Sequence, residues 1–183
     1  MDIENTNIDG VLIVKPKFYK DERGFFTELY SQRSYCPDVT NELSVQFNFS
    51  HSSKHVLRGL HYQKTKPQGK LIQVLKGKIF DVGVDIRRDS PTYGEHFSLT
   101  MSDQDHIQIY FPPGIAHGFC VLSEYADITY QCTDYYYPED ECGILWNDPD
   151  LNINWPTDTP IVSDKDKIFK KLSELKDEEY PTI

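Results

Sequence analysis

The chain lacks any apolar run near the ~20 residues that a membrane-spanning helix needs, and no charged leader followed by an apolar core lies between Met1 and Val14. Neither a spanning helix nor a secretory signal is therefore expected. It also lacks basic excess: 19 Lys and Arg stand against 29 Asp and Glu, a formal net charge of −10, with no basic stripe. That balance argues against wrapping of nucleic acid or docking to an anionic membrane. A small anionic ligand stays compatible, because a pocket can be locally positive inside an acidic protein. Cysteine is scarce, and Cys36, Cys120, Cys132 and Cys142 form no CxxC pair and no zinc-ligand spacing. Structural thiols in a reducing cytoplasm are the expectation. No repeat, low-complexity tract or linker interrupts the chain, and 183 residues with 38% hydrophobic content can bury one core, so residues 1–183 are read as a single domain.

What the sequence does have is alternation. "GKLIQVLKGKIFDVGVDIRRDSPTYGEHFSLTMS" carries two or three strand patterns punctuated at Lys76-Gly77 and Ser90-Pro91, and "HIQIYFPPGIAHGFCVLS" is again β-branched and aromatic. Short, regularly spaced strands with Gly and Pro turns predict an all-β sandwich or barrel. Helical signal is confined to the ends. In "SDKDKIFKKLSELKDEEY", Ile168, Phe169, Leu172 and Leu175 recur at helical spacing behind a Ser163 cap, which predicts a short C-terminal amphipathic helix.

"HVLRGLHYQ", residues 55–63, sets Arg58 and His61 among leucines. A regular strand sends Val56, Arg58 and Leu60 to one face and Leu57, His61 and Gln63 to the other, unless the chain bends at Gly59. Such a bend brings both polar groups towards one cavity. A charge in an apolar setting is costly without a partner, and the partner is either a ligand anion or a protein carboxylate in a buried salt bridge.

Three stretches, "DERGFFTELY" (21–30), "QFNFSHSSKHVLRGLHYQKTKPQGKLIQVLKGKIFDVGVDIRRDSPTYG" (46–94) and "FPPGIAHGFCVLSEYADITYQCTDYYYPEDECGILWNDPDLNINWP" (111–156), are followed by "SDKD" (163–166). In this order and spacing they resemble the dTDP-4-dehydrorhamnose 3,5-epimerase family, from about Asp9 to Asp166. The resemblance implies a double-sheet jelly-roll of cupin type, with an N-terminal segment and the short C-terminal helix outside the barrel. It also implies a homodimer paired through sheet edges, a dTDP-sugar substrate and no cofactor.

A 4-keto sugar has acidified C–H bonds on both sides of its carbonyl, and epimerisation needs a base on one face, an acid on the other and a cation for the enolate oxygen. By the resemblance, His61 is the base, with Asp166 of "SDKD" as the carboxylate that orients it. An imidazole suits the task because it exchanges a proton near neutrality. Tyr130 of "DITYQC" resembles the acid on the opposite face, and Lys70 of "QGKL" sits where an enolate charge develops. Arg23, Arg58 and Lys165 resemble contacts to the diphosphate, which guanidinium groups grip by paired hydrogen bonds. Glu28, Gln46, Asn48, His117 and Glu141 match positions that touch sugar, base or phosphate, Tyr136 lines the pocket, and Phe26 forms an apolar wall. One departure from the family pattern is His55, which stands where the family commonly has Gly.

Other readings remain open on residues alone. His61 is compatible with a core histidine satisfied by backbone, Tyr130 with strand cladding, and Lys70 with a solvated lysine. A metal-dependent cupin presents HxH followed by Glu and a later His. Here the slot reads His61-Tyr62-Gln63, "KTKPQGK" supplies no Glu, and only His117 of "PPGIAHGF" is retained, a poor transition-metal set. A non-catalytic sugar-nucleotide binder on the same scaffold, or an epimerase acting at C3 or C5 alone, is the remaining alternative.

Overall fold

A computed structural model describes residues 1–183. Two antiparallel sheets face each other. Sheet I runs in the order β1 (Asp2–Asn5), β2 (Leu12–Lys15), β10 (Gln108–Phe111), β7 (Lys70–Lys76), β12 (Tyr125–Cys132) and β5 (Gln46–Ser53). Sheet II runs β13 (Glu141–Gly143), β6 (Val56–Gln63), β11 (Ile115–Val121), β8 (Lys78–Asp85) and β9 (His96–Ser102), and β14 (Ile161–Val162) pairs with β6 in parallel. A separate hairpin joins β3 (Phe18–Asp21) to β4 (Gly24–Thr27), and one four-residue helix, α1 (Gln32–Tyr35), follows it. This is the expected double-sheet jelly roll.

The two inner faces change character along the strands. On β7 the residues facing inward run Val74, Ile72, Lys70, and on β12 they run Ile128, Tyr130, Cys132, since side chains on a strand repeat every second residue. The apolar end closes in a core that includes Ile72, Val74, Ile79, Ile109, Phe111 and Ile128. The polar end stays open as a cavity. On the outer face of sheet I, Tyr35 and Val39 pack on Leu12, Val14, Leu71 and Tyr110. On the outer face of sheet II, Leu172 packs with Leu60, Tyr62 and Ile144.

The C-terminal segment departs from expectation. It forms three single 3-10 turns, Asp166–Ile168, Leu172–Glu174 and Asp177–Glu179, with Phe169, Lys171 and Leu175 extended between them. Ser163 does accept a hydrogen bond from the Asp166 N–H at 3.1 Å, yet it caps a turn rather than a helix. Tertiary contacts override the helical spacing: Lys170 bridges to Ile144, Phe169 packs on Gly143, and Ile168 is left 82% exposed.

The bend at Gly59 is present. Gly59 has φ +117°, and the β6–β11 register runs His117 opposite His61 but Phe119 opposite Arg58, a shift that turns Arg58 and His61 to the same side. His55, where the resemblance leads us to expect glycine, has φ +66°, a conformation in which glycine carries no steric cost.

Candidate active site

The open end holds a cavity of about 320 Å³ lined from both sheets. Sheet II supplies Arg58, His61, Tyr62, Gln63 and Glu141, sheet I supplies Gln46, Asn48, Lys70, Tyr130 and Cys132, and Gln68, Tyr136 and Lys165 close it from loops. Cross-strand register explains the grouping. Lys70, Cys132 and Gln46 form one row across β7, β12 and β5, and Ile72, Tyr130 and Asn48 form the next. Facing them, His61 and His117 are opposite one another on β6 and β11. His61 and Tyr130 thus reach the cavity from opposing sheets, which pack about 10 Å apart in such sandwiches.

Asp166 is brought to His61 from 105 residues away by β14. Its parallel pairing with Val56 and Leu57 leads residues 163–166 across Gly59. There Asp166 is buried, its Oδ1 is 2.8 Å from His61 Nε2, and its Oδ2 accepts the Gly59 N–H at 3.1 Å. Burial pushes the Asp166 carboxyl up, but the bond to His61, the His61 charge, and the Gly59 and Ser163 hydrogen bonds outweigh it and hold it below the usual carboxylate range. With the proton of neutral His61 on Nε2, donated to Asp166, Nδ1 carries the lone pair; it lies 3.8 Å from Glu141 Oε1. Phe169 stands edge-on to the imidazole, centroids 5.8 Å apart.

Glu141 joins three groups. Its Oε2 accepts from Lys165 Nζ at 2.7 Å and from Tyr136 Oη at 2.8 Å, while Oε1 faces His61. Burial raises its carboxyl, but Lys165, Tyr136 and His61 together draw it below the ordinary range. The same bond pushes the Tyr136 phenol up to about 12. Tyr130 is also raised, chiefly by burial and next by Cys132, so its phenol holds its proton at neutral pH. Burial depresses Lys70, with the charges of Cys132, Glu141 and Asp81 acting in the other direction.

These positions separate the matched residues. Arg58 is not in a buried salt bridge: it is exposed on the cavity wall, and Nε donates to Ser52 Oγ at 3.1 Å. His117 lies deeper, with Nε2 2.7 Å from the buried Asp81. Arg23, Phe26 and Glu28 do not line the cavity. Arg23 bonds Asp21 within its own hairpin, Phe26 is 69% exposed, and Glu28 accepts from Ser31 and Ser34. Phe26 and Glu28 border a separate hollow of about 630 Å³ with Lys17 and Tyr19, which has no comparable convergence of titratable groups.

Gln63 and Gln68, to which no role was assigned, also form the site beside Gln46. Gln63 donates to the Tyr135 carbonyl and accepts from Tyr137 N–H, Gln68 donates to the Asp134 carbonyl, and Gln46 accepts from Tyr136 N–H. Together they hold the loop that carries Tyr136. The signal in the sequence was Gln63, a polar residue closing the strand "LRGLHYQ", and Gln68, held between Pro67 and Gly69 in "PQGK".

Paired sheets of this order, open and polar at one end, make the chain a cupin-type barrel, and the opposed imidazole and phenol mark it as an isomerase within that class. The family profile described as dTDP-4-dehydrorhamnose 3,5-epimerase matches residues 5–174, and the chain belongs to that family. It is 45% identical over 172 residues to dTDP-4-dehydrorhamnose 3,5-epimerase of Methanothermobacter thermautotrophicus, covering 92% of this chain and 93% of that protein. The crystal structure of dTDP-6-deoxy-D-glucose-3,5-epimerase from Legionella pneumophila, in complex with dTDP-4-keto-L-rhamnose, superposes with TM-score 0.95 at 47% identity, covering 100% of this chain and 98% of that one. A dTDP-4-dehydrorhamnose 3-epimerase from Streptomyces niveus is 35% identical over 179 residues, covering 97% of this chain and 86% of its own length.

Proposed function

We propose that this chain inverts C3 and C5 of a dTDP-4-keto-6-deoxyhexose, converting dTDP-4-dehydro-6-deoxyglucose to dTDP-4-dehydrorhamnose. The observation that carries the reading is the His61–Asp166 pair on one sheet with Tyr130 across the cavity on the other. His61 Nδ1 takes the proton from the carbon beside the carbonyl, and Asp166 holds the ring and balances the imidazolium. The electron pair moves to the carbonyl oxygen, where Lys70 meets the developing enolate. Tyr130 returns a proton to the opposite face, which inverts the centre, and solvent restores both groups. The sequence is redox-neutral and needs no electron carrier.

The diphosphate falls to Arg58 and Lys165, which together place positive charge at the cavity mouth of an acidic chain. Gln46, Asn48, Glu141 and Tyr136 are assigned to the sugar and base. We assign the working molecule as a homodimer. Phe47 and Phe49 project from edge strand β5 at 68% and 63% exposure, a face that a second copy covers. In that arrangement the β3–β4 hairpin reaches the partner's cavity, which gives Arg23, Phe26 and Glu28 a substrate role although their own cavity is distant. The four free thiols fit a cytoplasmic setting.

The test is solvent exchange. With dTDP-4-keto-6-deoxyglucose in deuterium oxide, NMR is expected to show deuterium at C3 and C5 and the rhamno product. Incorporation at one carbon alone assigns a single-site epimerase, and tight binding with no incorporation assigns a sugar-nucleotide binder.

A further inference from the structure

Past His61 the cavity continues inward as a space of about 100 Å³ bounded by Lys70, His117, Phe119 and Tyr130. Beneath it lies Asp81, with no exposed surface. Oδ1 is 2.7 Å from His117 Nε2, while Oδ2 has no hydrogen-bond partner. The placement follows from register: Asp81 sits opposite Phe119 on β11, and Gly83, two residues on, sits opposite His117.

A carboxylate is a poor choice for a core position that serves stability alone. An unsatisfied buried oxygen costs about 1–3 kcal/mol, and an apolar residue of similar size is often as stable or more so than a buried ionic group. Asp81 therefore needs a reason to be there. The His117 ring is packed between Phe111 and Phe119, centroids 5.2 and 6.3 Å away, so its plane is already limited. What packing cannot set is which nitrogen carries the proton. A carboxylate on Nε2 sets it, and leaves Nδ1 as the ring nitrogen available to a ligand. The arrangement repeats that of His61 and Asp166 on the neighbouring strand: two histidines opposite one another, each with Nε2 on its own buried carboxylate.

We propose that Asp81 is a positioning residue for the epimerisation: it fixes the orientation and tautomer of His117 so that Nδ1 accepts a hydrogen bond from a hydroxyl of the keto sugar. The proposal rests on the reading of the site given above. Since His117 lines the space next to Lys70 and Tyr130, the oxygen concerned is a hydroxyl beside the reacting carbons, which donates to Nδ1, and not the diphosphate.

Asp81→Asn, His117→Asn and the double variant are compared with the wild type in kcat, KM, dTDP affinity by calorimetry and melting temperature. ¹⁵N-histidine spectra are recorded for each, the His117 signal being the one absent from His117→Asn. The wild type is expected to show His117 as a single Nε2–H tautomer, and Asp81→Asn a mixture. Asp81→Asn keeps dTDP affinity within about twofold and loses roughly ten- to hundredfold in kcat, the usual effect of removing the partner that orients a functional histidine. The double variant is no slower than His117→Asn, because the two act as one unit.

A mixed tautomer in the wild type overturns the proposal, and this readout does not depend on any variant folding. So do wild-type kcat in Asp81→Asn, losses that add with those of His117→Asn, or dTDP affinity and melting temperature falling together with kcat, which marks a core residue and nothing more. Absence of deuterium incorporation by the wild type removes the epimerase reading and this proposal together. Incorporation by the wild type with unchanged Asp81→Asn removes this proposal alone.

Discussion

His61 has two carboxylates at hand with unequal roles. Asp166 is bonded directly and tied to the backbone, whereas Glu141 stands 3.8 Å off and is shared with Lys165 and Tyr136. Both place negative charge beside the ring that receives the proton. His61→Ala is expected to abolish exchange at C3 and at C5 while dTDP still binds, and unchanged turnover removes the mechanism. Tyr130→Phe is expected to retain wash-out of substrate protons but to lose productive inversion roughly 10²–10⁴-fold, the usual contribution of a positioned acid. Equal loss of both readouts shows that Tyr130 does not act after deprotonation. Asp166 makes a further prediction, in stability. Its folded pKa is depressed, so the stabilisation it adds is complete above the ordinary carboxylate range and is lost as pH falls from that range through the lower folded value. The gap in unfolding free energy between wild type and Asp166→Asn, roughly 1–3 kcal/mol at neutral pH for a buried bonded group, should therefore narrow on acidification. A gap that widens in acid contradicts the assignment.

At the level of elements, the site depends on segments with almost no regular structure of their own. Phe169 lies edge-on to His61, and a Cβ at Gly143 falls 2.2 Å from its ring. Gly143→Ala must move the phenyl ring, with an overpacking cost of about 1–3 kcal/mol. It is expected to lower kcat more than dTDP affinity, because it disturbs the base and not the phosphate contacts; steady-state kinetics beside calorimetry decides this. The strands were legible in the sequence because each inner face repeats every second residue and several turns, such as Lys76-Gly77 and Ser90-Pro91, carry Gly or Pro. The joint direction of Arg58 and His61 was legible through Gly59. The C-terminal helix was misread since Ile168, Phe169, Leu172 and Leu175 do recur at helical spacing, yet Phe169 is taken by Gly143 and Leu172 by the outer core, while Ile168 is left outside. Helix α1 has a cap signal in Ser31 and Ser34, too short to stand out. Asp81 was hidden inside "KIFDVGVD", where only the fold reveals that it lies behind His117.

On the scale of the whole molecule, one chain brings His61, Tyr130 and Lys70 to a single cavity, but it holds three of the matched substrate contacts, Arg23, Phe26 and Glu28, on or just after a hairpin, and none of them lines that cavity. Phe47 and Phe49 of the edge strand are exposed, which is the surface a proposed second copy would cover. If a second copy covers that face, each hairpin serves the opposite site. Phe47→Glu with Phe49→Glu then yields a folded monomer in sedimentation and lowers turnover at least about tenfold, because charge is strongly disfavoured at the centre of an interface. The sharper measurement is complementation. Arg23→Ala has an intact His61 but an incomplete hairpin, and His61→Ala the reverse. Dissociated, mixed in equal amounts and reassociated, they give half mixed dimers. In each of those, one site combines His61 with the Arg23 of the other chain, so activity returns to about a quarter of wild type under C2 pairing. If Arg23 acted on its own chain's cavity, or not at all on substrate, no site in the mixture would be newly complete. The mixture's rate would then equal the mean of the two variants measured apart.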